Sequence, residues 1–369
     1  MNIEMFHSKL FEFSKYRIRI TKFPQLSFGH LCLDMHMTLQ LAKREGSLVY
    51  FEPPEKDNIN MGIFDLECNQ VLRIRKEDLP LKQYCKEIND GTPTWPYYRR
   101  LLIKDPLPIQ IPEHRLDEVA QVAKQIGISP DAKIVTLHVR EPGWYRTIGH
   151  SEAKLDTQNY PTNAQIESYK KAVGHLLSND YTVVRIGAPG VTYVSGPGVV
   201  DLANSPYRTD LLELFCLTKS HFLITGEAGP RQAGEMLNIP FLTVNAIDPF
   251  GAYPIRSDGL FITKHVIDRE TGQRLSVSDM LSEKYHAAYR DTTRWKYVDN
   301  TDDEIFQAVL EMIDTVQGVS DESDLQNEYR QMVCKASATL RDKCFYVRKW
   351  GADNGFIGEG RIAQFFIDA

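Results

Sequence analysis

The chain has 369 residues, enough at about 150 residues per domain for two domains with well-buried cores. With 43 Lys and Arg against 49 Asp and Glu the net charge is −6, which argues against a general nucleic-acid binder. A composition 42% hydrophobic and 25% charged excludes disorder as the main state. No apolar run approaches the roughly 20 residues of a membrane span. The start, Met1 to His7, carries no signal-peptide core, so the sequence reads as cytoplasmic. Cys32, Cys68, Cys85, Cys216, Cys334 and Cys344 form no C-x-x-C pair, so they read as reduced thiols and not as a zinc site.

In chain order, Tyr16 to Thr21 (YRIRIT) alternates as a strand, with its charges expected to face solvent. A helix from Leu31 to Arg44 and a strand from Ser47 to Glu52 complete a βαβ signature. Six prolines between positions 74 and 118 predict no long regular element there. Leu116 to Gly127 reads as a helix closed by its glycine. A second unit opens near Ser129-Pro130-Asp131. Its strands are Ile134–Val139, Tyr181–Ile186, Val199–Leu202, Phe222–Thr225 and Phe241–Val244, separated by helices over 164–178, 209–219 and 231–237. Two such runs in tandem predict an α/β protein with two Rossmann-like domains facing a cleft. Thr301-Asp302-Asp303-Glu304 looks acidic enough for a metal, but its spacing is that of a capping box starting a helix. The tail 320–369 has helical composition and an apolar end, Phe365-Phe366-Ile367, that must pack somewhere.

Three places carry chemistry. Ile224 to Arg231 joins a buried strand to a helix through Gly226-Glu227-Ala228-Gly229. Such a turn presents backbone N–H groups and a helix dipole to an anion; it is equally an ordinary tight turn. Glu227 repels a phosphate there and reads instead as a partner for a ribose or sugar hydroxyl. Leu137-His138-Val139-Arg140 ends a strand on a cation, where an open α/β sheet binds ligands, so Arg140 is a candidate phosphate clamp; the plain alternative is a surface pair with Glu141. Val184-Arg185-Ile186-Gly187 repeats the pattern one strand on, although Arg185 lies within that strand and reads equally as a flanking side chain. His30, after Ser27-Phe28-Gly29, is a candidate general base with Asp34 one turn away, or simply a histidine at a helix start. Asp156 is a further candidate base or loop carboxylate. Asn204, Ser205 and Asp210, with Asp201, flank a turn able to hold a nucleoside or merely to turn the chain. Trp144, Tyr145 and His150 either stack on a base or pack a loop.

These segments occur in an order that resembles a bacterial family of glycosyltransferases from surface-polysaccharide gene sets. The resemblance runs from Val135 through Arg140, Ile166-Glu167-Ser168-Tyr169, Val183 to Gly187, Gly198 to Ser205, Asp210, Phe222 to Gly226 and Gly229, Phe261 to Lys264, Gly272 and Leu275-Ser276, to the helix between Asn300 and Met312. It covers about half the chain. The Gly226 turn resembles the donor turn of heptosyltransferase-like enzymes, and Arg140 the phosphate-binding arginine of fucosyltransferase-like ones. The resemblance implies a GT-B fold: an acceptor domain over 1–128, a donor domain over 129–318, and a tail over 319–369 packing back on the first. It also implies no metal and no cofactor beyond a nucleotide-diphosphate sugar as co-substrate. The chain departs from the family at Pro161-Thr162-Asn163 and at Glu227-Ala228, both near the expected donor site.

The expected activity is transfer of a sugar to a glycan or lipid-linked glycan hydroxyl. Donor contacts fall to Arg140, Arg185, Gly187, Asn204, Ser205, Asp210, Gly226, Glu227, Ala228, Gly229 and Arg231; His30, Asp34 or Asp156 is the base. The alternatives are a nucleotide-sugar epimerase or hydrolase of the same fold, or a degenerate nucleotide- or sugar-binding module. Lys9, Lys15, Arg17, Arg19 and Lys22 among apolar residues allow peripheral contact with an anionic membrane; as a strand, the same residues face solvent.

Overall fold

A computed structural model describes residues 17–22, 27–53, 60–74, 76, 86–88, 95–141, 160–189, 192, 196–340 and 357–367. Strand β1 (Arg17–Lys22), helix α1 (Phe28–Glu45) and strand β2 (Leu48–Glu52) form the expected βαβ unit. Strands β3 (Glu67–Cys68), β4 (Lys86–Ile88) and β5 (Ile109–Gln110) and helices α2 (Trp95–Lys104) and α3 (Glu113–Gln125) follow. Then come β6 (Lys133–Leu137), α4 (Lys170–Ser178), β7 (Tyr181–Arg185), β8 (Val199–Asp201) and α5 (Asp210–Thr218). Next are β9 (Ser220–Thr225), α6 (Gly229–Met236), β10 (Phe241–Ala246), α7 (Pro249–Ala252) and β11 (Leu260–Thr263). The chain closes with β12 (His265–Asp268), α8 (Glu283–Ala287), β13 (Trp295–Val298), α9 (Asp302–Val316), α10 (Asp324–Thr339), β14 (Arg361–Ile362) and α11 (Gln364–Ile367).

The fold is α/β and Rossmann-like. Its main sheet has seven parallel strands in the order β8-β7-β6-β9-β10-β11-β14. Counted from β6 this is the doubly wound order, with a switch point between β6 and β9, where connections leave in opposite directions. A second parallel sheet, β2-β1-β4, comes from the first hundred residues. Period-two alternation supplies two cores. Val135, Leu137, Val183 and Ile224 face one side, against α4, α9 and α10. Ile134, Val184 and Leu223 face the other, against α5 and α6 and against Leu31, Cys32, Met35 and Leu39 of α1. Among the described residues no helix is long and apolar enough to cross a membrane.

Four expectations need correction. Helix α1 starts at Phe28 and not at Leu31, because Ser27 takes the extended N-cap conformation and its carbonyl accepts from Leu31 N–H at 3.0 Å. Arg19 does not face solvent. Strand β1 is the middle of its sheet, and the Arg19 fork is taken by Glu45 at 2.7 and 2.6 Å. That bond holds the Glu45 carboxyl below its ordinary range. The proline-rich stretch does contain a ten-residue helix, α2, whose Pro96 sits in the first turn, where a missing N–H costs nothing. Finally, the tail is not wholly helical: β14 adds an edge strand beside β11. That strand reaches its place by backbone contact, with Glu359 N–H on Ile255 O at 2.8 Å and Gly360 N–H on Pro254 O at 3.1 Å. A Cβ on Gly360 would lie 2.5 Å from Pro254 Cβ, so only glycine passes there. Thr301 and Glu304 form the expected capping box on α9.

Candidate active site

The switch-point crevice is described by residues 138–141 after β6 and the turn over 226–229 after β9. After β6, His138 N–H donates to Ile224 O at 2.9 Å, prolonging the pairing by one residue before the chain turns away. The imidazole Nδ1 lies 3.5 Å from Thr225 Oγ1, and a Cβ on Gly187, whose φ is 138°, would sit 3.3 Å from the ring. Burial, with the Arg140 and Arg185 charges, pushes the His138 pKa down to about 3, so it is neutral. Arg140 Nη1 donates to the carbonyl of Glu227 at 3.2 Å, and its guanidinium lies 5.2 Å from the Tyr160 ring. The crevice thus brings together Arg140 and the Gly226–Gly229 turn, as the sequence expects.

The turn after β9 folds as Ala228 N–H donates to Gly226 O at 2.8 Å, and α6 begins at Gly229 with Pro230 in its first turn. Glu227 points across to β10. Its Oε1 accepts the Asp248 N–H at 2.9 Å. Asp248 is buried and caps α7, its Oδ1 accepting from Phe250 N at 2.8 Å and Gly251 N at 3.1 Å. Glu227 Oε2 and Asp248 Oδ2 have no hydrogen-bond partner among the described residues. Burial, then the Asp248 charge, raises the Glu227 pKa to about 7 against the pull of Arg290.

Helix α1 packs alongside α6, and their N-terminal ends meet. A Cβ on Gly229 would lie 2.9 Å from Gly29 N, and one on Gly29 would lie 3.0 Å from Gly229 Cα. Two helix N-termini therefore touch, and His30 stands beside the contact. Its Nδ1 lies 2.5 Å from Ser27 Oγ, which fixes the ring. Asp34 lies four residues on along α1, and its carbonyl accepts from Thr38 Oγ1 at 2.8 Å.

The other predicted donor residues are held by partners within the protein. Arg185 is 1% exposed and bound between Glu141 and Asp201, the second at 3.4 Å, with a further bond to Thr192 O. It is an interior ion triad and not a ligand clamp, because β7 is covered on both faces. Asn204 bonds back to Asp201 at 3.0 Å, and Ser205 Oγ accepts from Tyr207 N at 3.2 Å, on the far side of β7 from the switch point. Asp210 accepts Met61 N–H at 2.7 Å and so ties α5 to the 3-10 turn over Met61–Asp65. Gly187 N–H donates to Glu213 at 3.2 Å. Arg231 is buried against Glu235, one turn along α6. Asp156, Trp144, Tyr145, His150, Lys9 and Lys15 lie outside the described residues.

Sequence reasoning missed Tyr160, Asp248, Lys264 and Arg290. Lys264 is buried after β11, and its Nζ donates to Asn163 O and to Asp299 Oδ1, each at 2.5 Å. Ala164 N–H donates to Arg140 O at 3.0 Å. Together these bonds fix the 160–164 turn beside Arg140. Asp248 alone was readable in advance, since Asp before Pro at the end of a buried strand signals a helix cap. Among the described residues no group of three His, Cys, Asp or Glu is arranged to hold a metal.

No family model matches the chain, and no curated protein matches it. Among solved structures it is similar to a glycosyl transferase family 9 protein from Veillonella parvula DSM 2008, at 12% identity over 63% of this chain and 81% of that one, with TM-score 0.36. It is also similar to TibC, an iron-containing dodecameric glycosyltransferase from enterotoxigenic E. coli H10407, at 14% identity over 82% and 76% of the two chains, with TM-score 0.39. TibC in complex with ADP-D-β-D-heptose aligns at 13% identity over 83% and 77%, with TM-score 0.40.

Proposed function

We propose that the protein is a glycosyltransferase that moves a sugar from a nucleotide-diphosphate sugar to a hydroxyl of a surface-glycan acceptor. The observation that carries this reading is the contact of Gly29 with Gly229 at the switch point. It brings the N-terminal end of α1, where His30 follows Gly29, to the N-terminal end of α6. One side of the crevice has anion-binding groups, Arg140 and the start of α6. The other has a residue suited to taking a proton. The order of motifs from Val135 to Met312 supports the same reading.

In the proposed reaction the acceptor oxygen attacks the anomeric carbon and the bond from that carbon to the phosphate oxygen breaks. The acceptor proton passes to His30, whose ring Ser27 orients, and the diphosphate leaves with the electron pair. Arg140 and the α6 N-terminus stabilise its developing charge, an effect that preorganised dipoles supply without reorganisation. His30→Ala is expected to lower transfer by about a hundredfold or more while sparing donor binding. Unchanged turnover would return His30 to a structural role.

The reaction is proposed to need no metal, and the acceptor is proposed to be a glycan or lipid-linked glycan. A thermal-shift screen against GDP, UDP, ADP, CMP and dTDP, with and without EDTA, tests the donor half. A ligand that binds the native state raises its melting point by mass action. One nucleotide diphosphate that stabilises equally in EDTA is the expected result. No shift with any of them would contradict the reading and favour the degenerate binding module, which the Glu227 carboxylate in the crevice would then explain.

A further inference from the structure

Three segments remote in sequence meet at one aromatic ring. Arg140, after β6, and Arg290, between α8 and β13, lie with their guanidinium carbons 5.2 and 5.9 Å from the Tyr160 ring centroid. Both distances are within the range in which the ring face attracts a cation. Arg290 also lies 5.0 Å over its neighbour Tyr289. The turn that carries Tyr160 is itself fixed: Asn163 N–H donates to Tyr160 O at 2.9 Å, and Lys264 grips the same turn through Asn163 O.

Arg290 is held there against its own backbone preference. Its φ is 68°, in the left-handed region that side chains with a Cβ avoid. Its N–H donates to the Tyr297 hydroxyl at 3.1 Å, which pins the turn. Unfavourable backbone conformations of this kind concentrate where function requires them. Arg290 also acts electrostatically on Glu227, so it belongs to the same crevice as the α6 turn.

We propose that Arg290 is a second diphosphate-binding cation, paired with Arg140 across Tyr160, so that the two guanidiniums grip one nucleoside diphosphate. Stacking uses the face of a guanidinium, and its in-plane donors match phosphate oxygens. The inference rests on the nucleotide-diphosphate reading of this crevice. It adds a residue from an excursion that carries no phosphate-binding pattern in sequence.

Titration calorimetry with inorganic pyrophosphate, GDP, UDP and ADP on the wild type and on Arg290→Gly tests it. Glycine adopts a φ of 68° without strain. Arg290→Gly is therefore expected to melt no lower than the wild type, yet to bind pyrophosphate and the preferred nucleotide roughly tenfold or more weakly. If the wild type binds a nucleotide diphosphate and Arg290→Gly binds it equally well, the role of Arg290 is overturned and the function reading stands. A lower melting point with unchanged affinity would likewise make Arg290 structural. If the wild type binds none of the four anions, both proposals fall.

Discussion

Two neighbouring strands of the seven-stranded sheet carry an arginine at or just past their C-terminal ends, Arg140 after β6 and Arg185 on β7. Read along the chain they are alike in pattern, an apolar β-branched run, a cation and a turn, except that Arg185 lies within its strand. Their fates differ because of where the strands stand. Strand β6 borders the switch point, where the connections part in opposite directions, the place at which open α/β sheets hold ligands. Strand β7 lies between β6 and β8 with helices on both faces, so Arg185 has nowhere to point but inward, onto Glu141 and Asp201. The same residue type lies against the turn after β9 in one place and in a core ion pair in the other. Strand order, which no local pattern encodes, decides between them.

The largest effect should separate the two arginines by stability. Arg185→Ala leaves two buried carboxylates uncompensated and is expected to cost about 3–5 kcal/mol in chemical denaturation. A loss inside the roughly 0.5 kcal/mol range of ordinary surface substitutions would break the comparison. A smaller effect concerns pH. The Glu227 carboxyl, raised to about 7 in the folded state, binds its proton more tightly than in the unfolded chain. Stability from this group is therefore fully present below the ordinary carboxylate value of 4.5 and is lost as pH rises toward 7. Glu227→Gln stays neutral throughout. Its melting point is expected to fall less than that of the wild type across that window, and parallel curves for the two would show that Glu227 titrates normally.

The same contrast explains what the sequence made legible. The strands of the main sheet were readable because parallel, doubly covered strands are near-continuous apolar runs, and the capping box at Thr301 was readable because capping is local. The glycine turn at Gly226 and the cation at Arg140 were readable for the same reason. What escaped was non-local. Arg19 turned inward because its strand is flanked on both sides, and β14 joined the sheet from about a hundred residues beyond β11. Tyr160 and Arg290 meet only through the fold, and neither lies in a recognisable motif. The juxtaposition of Gly29 with Gly229 is likewise a tertiary fact: each glycine alone looked like an ordinary turn or helix start.

The central claim is that the switch point, and not the neighbouring strand end, is where a nucleotide diphosphate binds. The most direct test titrates the preferred nucleotide diphosphate and its parent nucleoside into the wild type and into Arg140→Ala. The diphosphate is predicted to bind Arg140→Ala roughly tenfold or more weakly, with nucleoside affinity unchanged, because only the phosphate contact is removed. An equal loss for both ligands, or none for either, would contradict the claim and take the phosphate site away from Arg140.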